Sequence, residues 1–324
     1  MSTWSLRAAP IIAAIIFLAG CSSAPDRVTL AGAAGPGQDI TVAAIPAADL
    51  AGLYVALDEG LFAQQGLHVK IKKIASSQAV IAAQLNGQVD IGAGSYVPYI
   101  AAQAAGARFR ILAEASTLRP DSRALVVPAN SNITTIAGLA GHKIGVNGTN
   151  SIGTLLISAL LQENGISPKK VDFVTDKQGF PAMPGQLQKG AWQAAFLAEP
   201  YVTIAGEQYG DQELADLDQG ATEDFPIQGY AVTAEWARKY PGTLKAFTTA
   251  LDQGQQVADT DRAAVEAVIE KYLGIKKKAA AFISLPAFPL GVDAVRLQRV
   301  VSSMVRFGLL PKGTRFSVGS MVAG

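Results

Sequence analysis

One residue in 324 is cysteine and two are histidine. A single thiol excludes a disulfide within the chain. The two imidazoles, His68 and His142, have no carboxylate or thiol at ligand spacing, so both read as solvated side chains near strand ends rather than as a zinc site. Neither the G-x-x-x-x-G-K-[ST] spacing of a P-loop nor the G-x-S-x-G turn of a serine hydrolase occurs. Charged residues make up 16% of the chain, with a net charge of +1. That balance offers no basic field for nucleic acid and no acidic tail. Aromatics are few, at 7%, against 32 glycines, a composition suited to closely packed α/β layers. No motif calls for a metal or a cofactor.

The first 38 residues read as separate from the fold. Arg7 followed by the apolar residues 8–18 has the layout of a secretion signal. The apolar run is shorter than the about 20 residues that a spanning helix needs. It leads into Leu18-Ala19-Gly20-Cys21, which resembles the lipobox of bacterial lipoproteins. The resemblance implies cleavage before Cys21, acylation of its thiol, and an acyl anchor on the extracytoplasmic face of the cell membrane. Residues 1–20 are then the signal peptide. Residues 21–38, rich in Ala, Gly, Ser and Pro without a period, read as a flexible tether.

From residue 39 the pattern alternates between strand and helix. Strands are expected at 40–45, 67–74, 89–91 and 109–115, with helices at 50–65, from Ser76 or Ser77 to Asn86, and at 96–105. This βαβαβαβ order predicts a mainly parallel sheet with helices on both faces. A second series follows, with strands at 123–127, 143–146, 170–175 and 193–197 and helices at 154–164 and 184–189. Residues 228–233 are expected to return to the first sheet. Amphipathic helices at 235–240, 243–258, 261–273 and 293–307 would cover it. The chain therefore reads as two lobes joined by two crossover strands. Lobe one comprises 39–122 and 229–324, and lobe two, inserted, comprises 123–228.

Ligands of open α/β sheets bind beyond the carboxyl ends of the strands. Four loops fall there: 46–49, 92–96, 147–151 and 198–201. The most suggestive stretch is Gly145-Val146-Asn147-Gly148-Thr149-Asn150-Ser151-Ile152-Gly153, a strand turning through small and hydroxyl residues into a helix. Free N–H groups and the helix dipole at such a turn favour an anion or a strong acceptor. A plain helix cap accounts for the same residues, and the two readings stay open at this point. Asp49 and Glu199, from opposite lobes, are candidate acceptors for a ligand N–H. Asp90 reads as a turn carboxylate. Arg119 and Arg123 flank the first crossover and could lean into the cleft, with a solvated arginine the favoured reading for both.

Several segments carry a resemblance. Ala51-Gly52-Leu53-Tyr54-Val55-Ala56 with Glu59-Gly60-Leu61-Phe62 and Gln65-Gly66-Leu67 is similar to the opening of the nitrate/sulfonate/taurine and thiamine-precursor family of ABC-transporter substrate-binding proteins. Ala83-Gln84-Leu85-Asn86-Gly87-Gln88-Val89-Asp90-Ile91-Gly92 resembles its helix-to-strand motif. Ile144-Gly145-Val146, Ala198-Glu199-Pro200-Tyr201 and the helix ending Phe307-Gly308-Leu309-Leu310 match in order and spacing. The resemblance implies an α/β, two-lobed type II periplasmic-binding-protein fold that binds a small polar solute such as a sulfonate, taurine or a pyrimidine-type precursor. It implies an ABC permease and its ATPase subunit as partners, a monomer, and no nucleic acid. The same fold also carries enzymes and ligand-sensing modules, which are the rival readings. Placed on the four loops, the family's ligand contacts fall at Ala47, Asp49, Gly94, Ser95, Tyr96, Thr149, Asn150, Ser151, Glu199 and Tyr201, with Phe180 and Tyr96 as candidate stacking walls. No arginine or lysine lies within the four loops, which counts against bare nitrate.

Overall fold

Gln38–Ala44 form β1, the strand on which the first sheet is built. The computed structural model describes Met1 and residues 38–322. The signal peptide, Cys21 and the tether before residue 38 lie outside the described residues. After β1 come α1 (Ala51–Asp58), α2 (Leu61–Gln64), β2 (Leu67–Lys73), α3 (Ser77–Leu85), β3 (Ile91–Ser95), α4 (Tyr96–Ala104) and β4 (Phe109–Thr117). The chain then crosses into a second sheet. That part holds β5 (Arg123–Val127), β6 (Lys143–Val146), α5 (Ile152–Glu163), β7 (Asp172–Thr175), α6 (Met183–Gln188), β8 (Ala194–Ala198), α7 (Tyr201–Tyr209) and β9 (Gln212–Asp216). It returns as β10 (Pro226–Thr233) and closes with α8 (Ala234–Lys239), α9 (Pro241–Thr260), α10 (Arg262–Leu273), α11 (Lys277–Ala280) and α12 (Ala294–Arg306).

The two sheets follow one plan. Their strand orders are β2-β1-β3-β10-β4 and β7-β6-β8-β5-β9. The first three strands of each run parallel. One strand, β10 in the first sheet and β5 in the second, opposes both of its neighbours. Four strands of five thus share a direction, as the βα alternation predicts, and the opposing strand is the one that follows a crossover. β3, β5 and β8 are buried along their whole length, which fits their continuous apolar or small-residue runs.

Two local readings needed correction. Residues 50–65 are not one helix, because Gly60 takes a left-handed backbone (φ +69) that ends α1 and starts α2. A left-handed residue has no place inside a right-handed helix. β9 escaped notice because it is an edge strand, half-exposed, whose sequence Gln-Glu-Leu-Ala-Asp has no alternation.

The core is layered around the first sheet. α9 buries Ala246, Phe247, Ala250, Leu251, Gly254 and Ala258 at helical spacing, the stripe expected of a core-facing helix. It crosses α1 closely, since a Cβ on Gly254 would lie 2.3 Å from the Gly52 carbonyl oxygen. The opposite face of the sheet, under α4 and α12, is continuous with the interior of the second lobe. The two crossovers are bonded at both ends. Leu118 N–H donates to the Phe225 carbonyl at 2.9 Å, and Leu217 N–H donates to the Arg123 carbonyl at 3.1 Å. Among the described residues no helix is long and apolar enough to cross a membrane.

Candidate functional site

The carboxyl ends of both sheets face each other, and the loops there are in contact. Gln78 of α3 donates from Nε2 to the Thr149 carbonyl at 2.7 Å. Ala48 N–H donates to the Glu199 carbonyl at 2.9 Å.

On the lobe-two side, the β6–α5 turn meets most of its polar groups locally, Asn147 Oδ1 excepted. Ser151 N–H donates to Thr154 Oγ1 at 2.9 Å in a capping box, and the Ser151 hydroxyl donates to the Gly148 carbonyl. Thr149 N–H donates to Thr175 Oγ1 at 3.1 Å. Thr149 and Asn150 are exposed, and Asn150 has φ +52. The glycines serve packing. A Cβ on Gly145 would lie 2.3 Å from the Trp192 ring, and one on Gly153 would lie 2.5 Å from the Phe196 ring. These bonds give the turn the geometry of a helix cap.

On the lobe-one side the turn is built otherwise. Ala47, buried, precedes a single 3-10 turn, Ala48–Leu50, and has no side chain to cap it. Asp49 is buried, and its Oδ1 accepts from Ser116 Oγ and from Arg123 Nη2, each at 2.6 Å. Arg123 is 3% exposed and lies over the Phe196 ring, 5.7 Å from the centroid. The expectation of a solvated Arg123 is therefore corrected. It opens the apolar run of β5, where burying a guanidinium is costly unless a carboxylate meets it. That carboxylate lies 74 residues earlier in the chain.

Glu199 is equally committed. Its carboxylate accepts from Thr203 N–H at 3.1 Å, from Thr203 Oγ1 at 2.8 Å, and from Ser284 N–H at 3.1 Å. Burial pushes its pKa up to about 7, against the opposing pull of these hydrogen bonds. Both carboxylates expected to receive a ligand N–H thus already have protein donors.

The remaining expected residues divide between cleft and core. Ser95 caps α4, its Oγ accepting from Val97 N–H at 3.3 Å, while its own N–H donates to Ser77 Oγ at 2.9 Å. Gly94 is held against Ser77 and Tyr99. Tyr96 is not a cleft wall. Its ring lies in the core shared with α12, with its hydroxyl close to Gly229. Phe180 stacks on Tyr201 at 6.1 Å and tilts against Phe196 at 5.7 Å. Tyr201 lines a groove of about 560 Å³ between the lobes, bounded by Pro46 and Lys73 on one side and Gln178 and Pro181 on the other.

Several residues, most of them not placed at the site by the sequence, are left with unmet hydrogen-bonding capacity here. Arg123 Nη1, Gln228 Nε2 and the hydroxyls of Tyr54 and Tyr230 are buried without a protein partner, as is the acceptor Asn147 Oδ1. Gln228 lies opposite Ser95 and Ser116 in the sheet. Tyr230 sits close to Tyr54 and Asp49, and Tyr54 close to Tyr201. Burial without a partner is costly for such groups, so this surface suits an acceptor-rich guest.

The sequence model of the family described as NMT1/THI5 like matches residues 47–262. An Escherichia coli (strain K12) protein, provisionally named as an aliphatic sulfonates-binding protein, is 27% identical over 194 residues, which are 58% of this chain and 57% of that protein. The match thus spans little more than half the length of that relative. Among solved structures, the alkanesulfonate-binding protein SsuA of Xanthomonas axonopodis pv. citri superposes with a TM-score of 0.73 at 18% identity, covering 90% of this chain and 99% of that one. The periplasmic nitrate-binding protein NrtA of Synechocystis PCC 6803 gives a TM-score of 0.72 at 15% identity, covering 86% and 83%. At these identities the likeness is one of fold.

Proposed function

This chain belongs to the NMT1/THI5-like family, and from that premise we propose that it is an extracytoplasmic solute-binding lipoprotein that holds a small sulfonate-type solute between its lobes. It delivers the solute to an ABC permease and its ATPase subunit, and Cys21 carries the anchor. Arg123 supports this reading most directly. One edge of its buried guanidinium is neutralised by Asp49, while Nη1 has no protein partner. A sulfonate oxygen could take that N–H, with Gln228 Nε2 and the Tyr54 and Tyr230 hydroxyls as further donors. Since the unmet groups are mostly donors, an acceptor head fits better than the amine end that Asp49 and Glu199 suggested from the sequence alone.

A thermal-shift panel of alkanesulfonates, taurine, nitrate and aminopyrimidines tests the solute, because a ligand bound only by the native state raises Tm. A sulfonate is expected to give the largest shift and to be recovered unchanged by mass spectrometry. A shift by aminopyrimidines alone would move the proposal to the pyrimidine class, and a chemically altered ligand would move it to an enzyme.

A further inference from the structure

The end of lobe one opposite the cleft carries three adjoining grooves that meet at Arg110 and Ala234, the largest of about 870 Å³. Five cations line them: Arg108, Arg110, Arg238, Lys239 and Lys245. Among the described residues none of the five takes part in an ion pair. Two carboxylates lie there. Asp90 is occupied by Thr41 N–H at 2.8 Å and Trp236 Nε1 at 3.1 Å. Glu235 alone is exposed. The cations are thus clustered on one face of a chain whose net charge is only +1.

The apolar residues beside them are of a particular kind. Leu85 is 56% exposed at the groove edge. Trp236 and Tyr240 lie side by side at 5.2 Å, with Lys239 Nζ 5.1 Å from the Tyr240 ring centroid. Aromatic rings with polar tips among Lys and Arg are the mixture that settles at the headgroup level of a bilayer. β1 begins at this same end. Gln38 is fastened there by Thr243, whose hydroxyl donates to Gln38 Oε1 at 2.5 Å, two residues from Lys245. Whatever precedes residue 38 therefore joins the body beside the basic face.

We propose that this face rests on anionic lipid headgroups, so that the protein is held at the membrane by its cationic pole as well as by its anchor. The inference rests on the lipoprotein reading only for the anchor. Charge attraction of this kind is worth roughly fivefold in affinity per cation at the surface, and a Debye length of about 8 Å makes it sensitive to salt. A headgroup phosphate would sit against Arg108 and Arg110, with Trp236 and Leu85 reaching the acyl boundary.

The test uses the chain from residue 21 onward with Cys21→Ser, which removes both acylation and the apolar run of residues 8–18, and vesicles of phosphatidylcholine with or without phosphatidylglycerol. Binding is expected only to the anionic vesicles and should weaken strongly in 0.5 M salt. The combined charge reversals Arg108→Glu, Arg238→Glu, Lys239→Glu and Lys245→Glu should lower it by at least roughly a hundredfold. Circular dichroism and the solute-induced Tm shift should be unchanged in that variant, which separates this proposal from the solute reading. A milder variant, Arg238→Gln with Lys245→Gln, should give roughly a tenfold loss or more if the quadruple change misfolds. Equal binding to neutral vesicles, or unaltered binding by both variants, would overturn the proposal. Capture of a soluble acidic peptide in place of vesicles would also overturn it, in favour of a protein partner.

Discussion

Two strand-to-helix turns face each other across the cleft, and they spend their polar groups in opposite ways. The β6–α5 turn of lobe two answers most of its own needs, with Ser151 and Thr154 capping each other and Thr149 and Asn150 left on the surface. The β1–α1 turn of lobe one has no cap and sends Asp49 to Ser116 and Arg123. A turn rich in hydroxyls can meet most of its needs locally. A turn with one buried carboxylate and no local donor must recruit a partner from elsewhere, and here that recruitment draws a second-lobe cation into the cleft. The poorer sequence signal thus marks the more consequential site.

Breaking the lobe-one turn should have the largest effect. Arg123→Met leaves Asp49 buried and unpaired and is expected to cost about 3–5 kcal/mol. Urea denaturation should show this as a lowered midpoint at unchanged slope. Adding Asp49→Leu should restore most of the loss, since two apolar residues can replace a buried pair. No recovery in the double variant would mean that the pair itself, rather than the orphaned charge, holds the lobes.

The acceptor that joins the lobes from the other side should respond to pH. Glu199 has a folded pKa of about 7 against an ordinary value of 4.5, so the folded state holds this proton more tightly than the unfolded one. Its contribution is fully present below the unfolded value and is lost as pH rises through about 7. Between those limits the protein should lose stability on the order of 3 kcal/mol from this group. Glu213, near the second crossover, is shifted the same way, by burial first and then by Asp121, Asp216 and Glu199, but it is exposed and adds little. Melting curves at pH 5 and pH 8 for wild type and Glu199→Gln should converge once the carboxyl is replaced. An undiminished pH slope in the variant would place the titration elsewhere.

Disturbing the lobe-two turn should matter less. Ser151→Ala removes a cap and should cost about 1 kcal/mol of stability while leaving solute affinity unchanged by calorimetry. A hundredfold loss of affinity would restore to this turn the ligand-binding role that the sequence offered it. Comparably small, Gln78→Ala deletes one hydrogen bond between the lobes and should weaken the joined state by about 0.5–1.5 kcal/mol, read as a larger average radius in small-angle scattering.

The parts of the fold that the sequence disclosed are those set by nearest neighbours. The apolar run of β5, the cap at Ser76 and the helix stripes of α9 and α12 are all local patterns. β9 was missed because it is exposed or only half-buried along its whole length, so it has no buried face to impose an alternation. At the site, Glu199 and Tyr201 drew attention through their loop. Gln228, Tyr54 and Tyr230 did not, because nothing within a few residues of them is unusual, and Arg123 was noticed but read as solvated. The one usable signal was an arginine heading the otherwise apolar Ala124-Leu125-Val126-Val127, which predicts burial and hence a remote carboxylate. Which carboxylate it meets is a property of the assembled lobes.

The place of β10 sets an order of assembly. β3 and β4 are consecutive strands, yet β10 lies between them and opposes both. Until residues 226–233 emerge, the sheet has a slot about 10 Å wide, twice the strand spacing, lined on both sides by unpaired backbone. All of β5 to β9 is made in the interval. A chain made from its amino end therefore exposes two open strand edges for the time it takes to make some hundred residues, and its first sheet closes last. Non-local pairing of this kind folds slowly and is prone to association while it waits, so the strand that completes the scaffold also fixes the period during which the nascent protein needs protection.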